Sequence, residues 1–324
     1  MTGEFGYAWV GMKHLLANFS IGHAQLIDPS FLRMTGKWDM SRIVVKPSLA
    51  NPNNIHLLCI TKYFTKSKHM EYFVSEESIV RKIWGKADTI LFIFAGAAAE
   101  FALNKAVDWL YFTGRLPADP LGRLFSTVEY SRQIIFSDQE SALKAIDRIT
   151  AIHKGVENSR GAQIPDWAYR DVLFLLIDLS IRSYELLERK LTQAEKGQVF
   201  MVFNRVGQRM GLAGLPKNYF EYLDMRDEHL QHNLVHGELT LDLYRQYKKH
   251  LGASRYAVLK QAQLLVVPPL VGRHLPLGKL PWLLPVIWTY KFLRMLKVET
   301  FLRNALLPLA YKAQIISMDN AYVR

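Results

Sequence analysis

Cysteine is almost absent from this chain. Its 324 residues include one, Cys59, which excludes intramolecular disulfides and any multi-cysteine zinc or iron–sulfur site. Nothing then demands an oxidising compartment. Long apolar runs are missing as well. Residues 89–99 and 280–290 are charge-free, but Glu100 ends the first and Pro281 and Pro285 interrupt the second, well short of the ~20 residues of a membrane span. Both read as buried or interfacial helices. The start, MTGEFGYAWVGMKHLLANF, lacks the basic, apolar and small-residue segments of a signal peptide. The expected location is cytoplasmic, with peripheral contact to a membrane left open. Acidic residues are outnumbered, 29 against 41 basic, for a formal charge of +12. That excess raises nucleic acid and anionic membrane as partners. The basic residues form no run of five, however, and accompany no helix-turn-helix, zinc-finger or RNP pattern. Nucleic acid is set aside, and a membrane surface is the better reading of the charge. Nor is there a P-loop or a GxSxG elbow, and Gly207, Gly211 and Gly214 do not make a dinucleotide fingerprint.

What is present is helical periodicity. Half of the residues are hydrophobic (50%), and strand-like alternation is scarce, which predicts an all-α chain with a sizeable core. Three regions are expected. Residues 1–80 form an irregular N-terminal extension with a turn signal, NPNN at 51–54, and a short strand or extended arm at Ile43-Val44-Val45. Residues 81–265 form a helical core. Residues 266–324 form a basic, proline-punctuated helical segment that packs on the core or on a membrane.

Three helices of the core carry the chemistry. The first is expected over 89–112 and is apolar all round in its first half, the mark of a central helix. It carries Glu100 and Asp108. A carboxylate in that setting must find a partner or shift its pKa upward; a structural ion pair with Lys or Arg is the plainer reading. The second follows the turn LPADP at 116–120 and places Arg123, Thr127, Tyr130 and Ile134 on one stripe. A guanidinium fork beside a hydroxyl suits an anionic group; the plainer alternative is an arginine bonding a neighbouring carbonyl or acid. The third is expected to open on a capping box of Ser137 with Glu140. Its apolar face runs from Ala142 to Val156 and includes His153. That histidine is either a satisfied core imidazole or a ligand, since a neutral imidazole in apolar surroundings is what a haem iron asks of its proximal ligand.

Two other groups compete. Glu228, His232 and His236 are four apart, with His229 nearby, and histidines at that spacing can share a metal. The hydrolase signature HExxH is missing, and a solvated helical face is the simpler reading. Near the C-terminus, Trp282, Trp288 and Tyr290 precede Lys291, Arg294 and Lys297. Aromatic anchors with basic flanks suit a helix lying in a membrane interface, as they suit a helix packed on the core with a charged outer face.

The run RLFSTVEYSRQIIFSDQESALKAIDRITAIHKGV from Arg123 to Val156 resembles the MpaB/latex-clearing protein (rubber oxygenase) superfamily, which shows Arg-x-x-x-Thr and then His-x-x-Val at similar separations. WAYRDVLFLLIDLSIRSYELLERKLTQAEK from Trp167 and GLAGLPKNYFEYL from Gly211 look like the helices that follow. The resemblance covers residues 81–270. It implies a globin-like helical core holding one haem b, with His153 as the iron ligand and Arg123 and Thr127 lining the pocket. It also implies dioxygen-dependent cleavage or oxygenation of a hydrophobic, isoprenoid or lipid-like substrate. Two departures stand out. Latex-clearing proteins carry a lysine before the threonine, where this chain has Ser126, and many relatives have Trp-x-His where this chain reads Leu176-Ile177-Asp178-Leu179. Glu100 is the first candidate for a catalytic base and Asp108 the second. The alternative function is a non-catalytic haem- or lipid-binding helical protein at membrane surfaces.

Overall fold

Apolar residues at helical spacing, punctuated by caps, give eleven helices and no strand among the described residues of the computed structural model. These residues are 71–114 and 118–295; the side chains of 120, 121, 123–125 and 293–295 lie outside the description. The all-α expectation therefore holds. The readings at 43–45 and 51–54, and Cys59, fall outside the described residues.

The helices are α1 (Ile79–Trp84), α2 (Ala87–Leu103), α3 (Val107–Phe112), α4 (Pro120–Phe136), α5 (Gln139–Arg160) and α6 (Asp166–Leu187), followed by α7 (Gln193–Arg209), α8 (Tyr219–His232), α9 (Glu238–Val266), α10 (Pro269–His274) and α11 (Leu283–Met295). Helix α2 is the axis. It is apolar on every side and packs against both α6 and α9, as an all-round apolar helix must to bury its surface. Close approach is set at Gly96, where a Cβ would stand 2.5 Å from Leu179 of α6. Around this contact the main core gathers Trp84, Ile90, Phe94, Leu179, Phe200 and Tyr222. A second cluster on the α9 side includes Leu103, Leu243, Tyr244 and Val271. A smaller one seats Leu283 and Ile287 of α11 against Ala95, Leu187 and Ala262.

Local chemistry moves two expected boundaries. The helix predicted over 89–112 is two helices, α2 and α3. Asn104 breaks it by turning its side chain into hydrogen-bonding roles: its Oδ1 accepts from the Ala106 amide at 2.8 Å, and its Nδ2 donates to Asp171 at 3.1 Å. An amide side chain that competes for backbone partners ends a helix in this way. The cap of α5 is Asp138, one residue later than the predicted Ser137. Its carboxylate accepts from the Ser141 amide at 3.0 Å, while Glu140 turns to Lys144 at 2.7 Å. Helix α9 bends at Gly252, whose φ of 73° no β-carbon-bearing residue adopts without cost.

Candidate functional site

Glu100 is fully buried on α2 and meets a cation there. Arg226 of α8 clamps it with both terminal nitrogens, Nη1 donating to Oε1 and Nη2 to Oε2 at 2.7 Å. The same Nη2 donates to Asp178 of α6 at 3.0 Å. His229, one turn further along α8, donates through Nε2 to Glu100 Oε1 at 3.0 Å, and its Nδ1 lies 2.8 Å from Asp171 Oδ1. Asp171 Oδ2 in turn accepts from Asn104 at 3.1 Å and from Asn233 at 2.9 Å. Three helices thus pool their polar groups in one cage.

The electrostatics follow from this packing. Burial alone pushes the Glu100 carboxyl upward, but the charge and hydrogen bonds of Arg226, helped by His229, outweigh it and hold the group at about 2. Burial pushes His229 downward; its hydrogen bonds and charge contacts with Asp171 and Glu100 overcome this and raise it above the ordinary imidazole value. Arg226 is held cationic by Glu100 and Asp178 against its own desolvation. Of the two readings open for Glu100, an ion pair with arginine is what its surroundings provide. A cavity of about 340 Å³ opens beside Arg226, lined by Asp178, Arg182, Glu185, Lys196 and Tyr219 among others. Its charges pair with one another, Arg182 with Asp178 and Lys196 with Glu185, so it is not a greasy slot.

His153 lies elsewhere, half-buried on α5. Its Nδ1 stands 2.9 Å from the Ile149 carbonyl, and its ring meets the Tyr169 ring edge-on at 5.3 Å. Because a carbonyl only accepts, Nδ1 carries a proton in this contact. This is the arrangement metal-ligating histidines use, with the second nitrogen tied to a carbonyl or carboxylate. Ile149 and Val156 flank it half-buried, and Ile152 is exposed. A histidine held in this way is of the donor type that could hold haem iron.

Thr127 is half-buried on α4, which packs along α5. Its backbone carbonyl accepts from the Ser131 hydroxyl at 3.0 Å. The Arg123 side chain falls outside the described residues, although its backbone is part of α4, one turn before Thr127. Asp108 on α3 reaches α5 through Arg160, at 2.6 Å, and that guanidinium lies 4.0 Å over the Trp109 ring. Arg160 is seven residues from His153 on α5 and so shares its face. The structure thus joins Asp108, not Glu100, to the helix of His153.

The metal trio is dispersed. Helix α8 ends at His232, so His236 is off its face, with Nδ1 2.8 Å from the His274 carbonyl. No group of three metal-ligating side chains is present among the described residues. What the sequence did not reveal is the partner set of Glu100. Arg226 and His229 are three apart on α8, and Asp171 and Asp178 seven apart on α6, each pair on one helical face. Those spacings were a usable signal once a buried carboxylate required a cation.

None of the curated proteins matches the chain. A family model does match, over residues 82–305; its description is ER-bound oxygenase mpaB/B'/Rubber oxygenase, catalytic domain. With more than half of its length matched, the chain belongs to the mpaB/rubber oxygenase catalytic-domain family.

Proposed function

We propose that this oxygenase-family chain is a haem b-dependent oxygenase that cleaves or oxygenates a hydrophobic, isoprenoid or lipid-like substrate with dioxygen. The observation that carries the reading is the hydrogen bond from His153 Nδ1 to the Ile149 carbonyl. It puts the ring proton on Nδ1, which makes Nε2 the nitrogen that would meet iron, on a helix where apolar side chains stand on either side. Haem, when bound, supplies the iron that activates dioxygen.

The protein's own residues do the rest. His153 holds the cofactor from α5, and Tyr169 limits the swing of its ring. Arg123 and Thr127, one helical turn apart on α4, give a cation for a propionate and a hydroxyl donor lining the pocket. Ile149, Ile152 and Val156 keep that side apolar, which favours a greasy substrate. Glu100, proposed as a base, is held anionic at about 2 by its ion pairs, so it takes up a proton poorly near neutral pH. Asp108 is the second carboxylate in the reading, through its link to the His153 face. The same commitment of Glu100 favours the second reading, a haem or lipid carrier without chemistry.

The absorption spectrum tests the cofactor. The purified chain loaded with haem is expected to show a Soret band that His153→Ala abolishes. A colourless protein after loading, or a variant with the parent spectrum, overturns the reading. Oxygen uptake with a prenylated substrate, lost in Asp108→Asn and retained in Glu100→Gln, separates oxygenase from carrier and assigns the base.

A further inference from the structure

Helix α11 has two faces, and the outer one is unusual. Its inner face is anchored by Leu283 and Ile287 in the third core cluster. Tyr290 donates to Asp88 at 3.0 Å, and the Lys291 ammonium donates to the carbonyls of Leu186 and Glu188, at 3.3 Å each. The charge that the helix carries at Lys291 is thus spent inward. On the outer face stand Pro285, Val286, Trp288, Thr289 and Phe292, all exposed, with Trp288 at 66% and Phe292 at 56%. Trp282 and Leu280, the latter 75% exposed, continue the patch into the preceding turn. Single exposed apolar residues are ordinary, whereas a contiguous apolar strip marks a surface that something covers. An outward helical face with no charge across two turns is such a strip.

The charge of the neighbouring sequence says what fits. Between residues 243 and 298 the sequence holds ten lysines and arginines and not one aspartate or glutamate. Arg255, Arg273 and Lys279 from this stretch are exposed, and Lys260 is half-exposed on α9, the helix against which α11 packs. A second copy of this chain would bring the same basic stretch against itself, since a two-fold contact places one patch on its twin. An anionic lipid surface offers the complement. Tryptophan is the residue that settles at the level of lipid headgroups, and basic neighbours add attraction to anionic lipids.

We propose that the outer face of α11, with Trp282 and Leu280 leading into it, seats the protein on an anionic lipid bilayer, with the helix lying in the plane of the interface. No described helix is long and apolar enough to cross a membrane, and this mode requires none. The proposal goes beyond the oxygenase reading and stands whether or not haem binds.

Sedimentation of the full chain with vesicles tests it. Phosphatidylcholine vesicles containing phosphatidylglycerol are expected to carry the protein down, and pure phosphatidylcholine vesicles to do so far less. Raised salt is expected to weaken the anionic binding. The double variant Trp288→Ser with Phe292→Ser is expected to lower the partition coefficient about tenfold or more. Both side chains are exposed, and an unchanged melting curve verifies that the variant folds. A wild type that ignores anionic vesicles, or a double variant that binds them equally well, overturns the proposal. So does a dimer in sedimentation velocity that the double variant makes monomeric while vesicle binding is unaffected, an outcome that assigns the face to a second copy.

Discussion

Between α2, α6 and α8, Glu100, Arg226, His229, Asp171 and Asp178 satisfy one another largely out of water, with Asn104 and Asn233 filling in. On α5 the opposite arrangement holds. His153 has its ring against the Ile149 carbonyl and the edge of Tyr169, and Ile152 beside it stays exposed. The first region has chemically strong groups whose charges the protein itself cancels. The second has one donor atom oriented and an apolar surface only partly covered. Strength of charge is therefore a poor guide to function here. A buried carboxylate matched by a guanidinium and an imidazole is occupied in holding three helices together, whereas the imidazole on α5 is the group proposed to take a ligand.

The largest effect is expected from breaking the cage. Arg226→Met leaves Glu100 buried without its main cation, which should cost about 3–5 kcal/mol of stability, read by urea unfolding. Adding Glu100→Gln to that variant should recover a large part of the loss, because the stranded charge is gone. A loss below about 1 kcal/mol in the single variant would put the cage on the same footing as a surface pair and dissolve the contrast.

The pH dependence should be intermediate in size and two-sided. The Glu100 carboxyl is lowered on folding, from 4.5 to about 2. Its contribution is present above the ordinary carboxylate value and is lost as pH falls toward the folded one. The His229 imidazole is raised above 6.5. Its contribution is complete below that value and is lost as pH climbs through the raised one. Stability should thus decline on both flanks, and His229→Gln should remove the alkaline slope while leaving the acid one, as followed by thermal melts across pH. A variant with the parent's alkaline slope would place that titration in another group.

Much of the bundle could be read from the sequence because helical period and burial are local properties. The apolar run before Glu100 announced a central helix, and the LPADP turn announced the start of α4. The break at Asn104 was not legible, since its cause is a hydrogen bond to Asp171, 67 residues away. For the same reason the demand of Glu100 for a cation was foreseen but its partner was not: Arg226 lies 126 residues on, and only the fold brings α8 beside α2. His153 was singled out by its spacing on the apolar side of its helix. Its contact from Nδ1 to the carbonyl four residues back is available to any helical histidine and leaves no mark in the sequence.

The smallest stability effect should come from the region with the largest functional one. His153→Ala removes a half-buried ring that meets the Ile149 carbonyl and the edge of Tyr169, and such a change should move stability by about 0.5 kcal/mol or less. A carbonyl freed in this way stays in its helical hydrogen bond, so no buried group is left stranded. The variant should therefore melt with the parent in the absence of haem and differ from it only when haem is supplied, where ligand-linked stabilisation of the parent should be missing. Thermal melts with and without haem read both quantities in one experiment. Should His153→Ala instead unfold the apo chain as Arg226→Met does, the imidazole would be a structural element like those of the cage, and the division between the two regions would fail at the residue on which it rests.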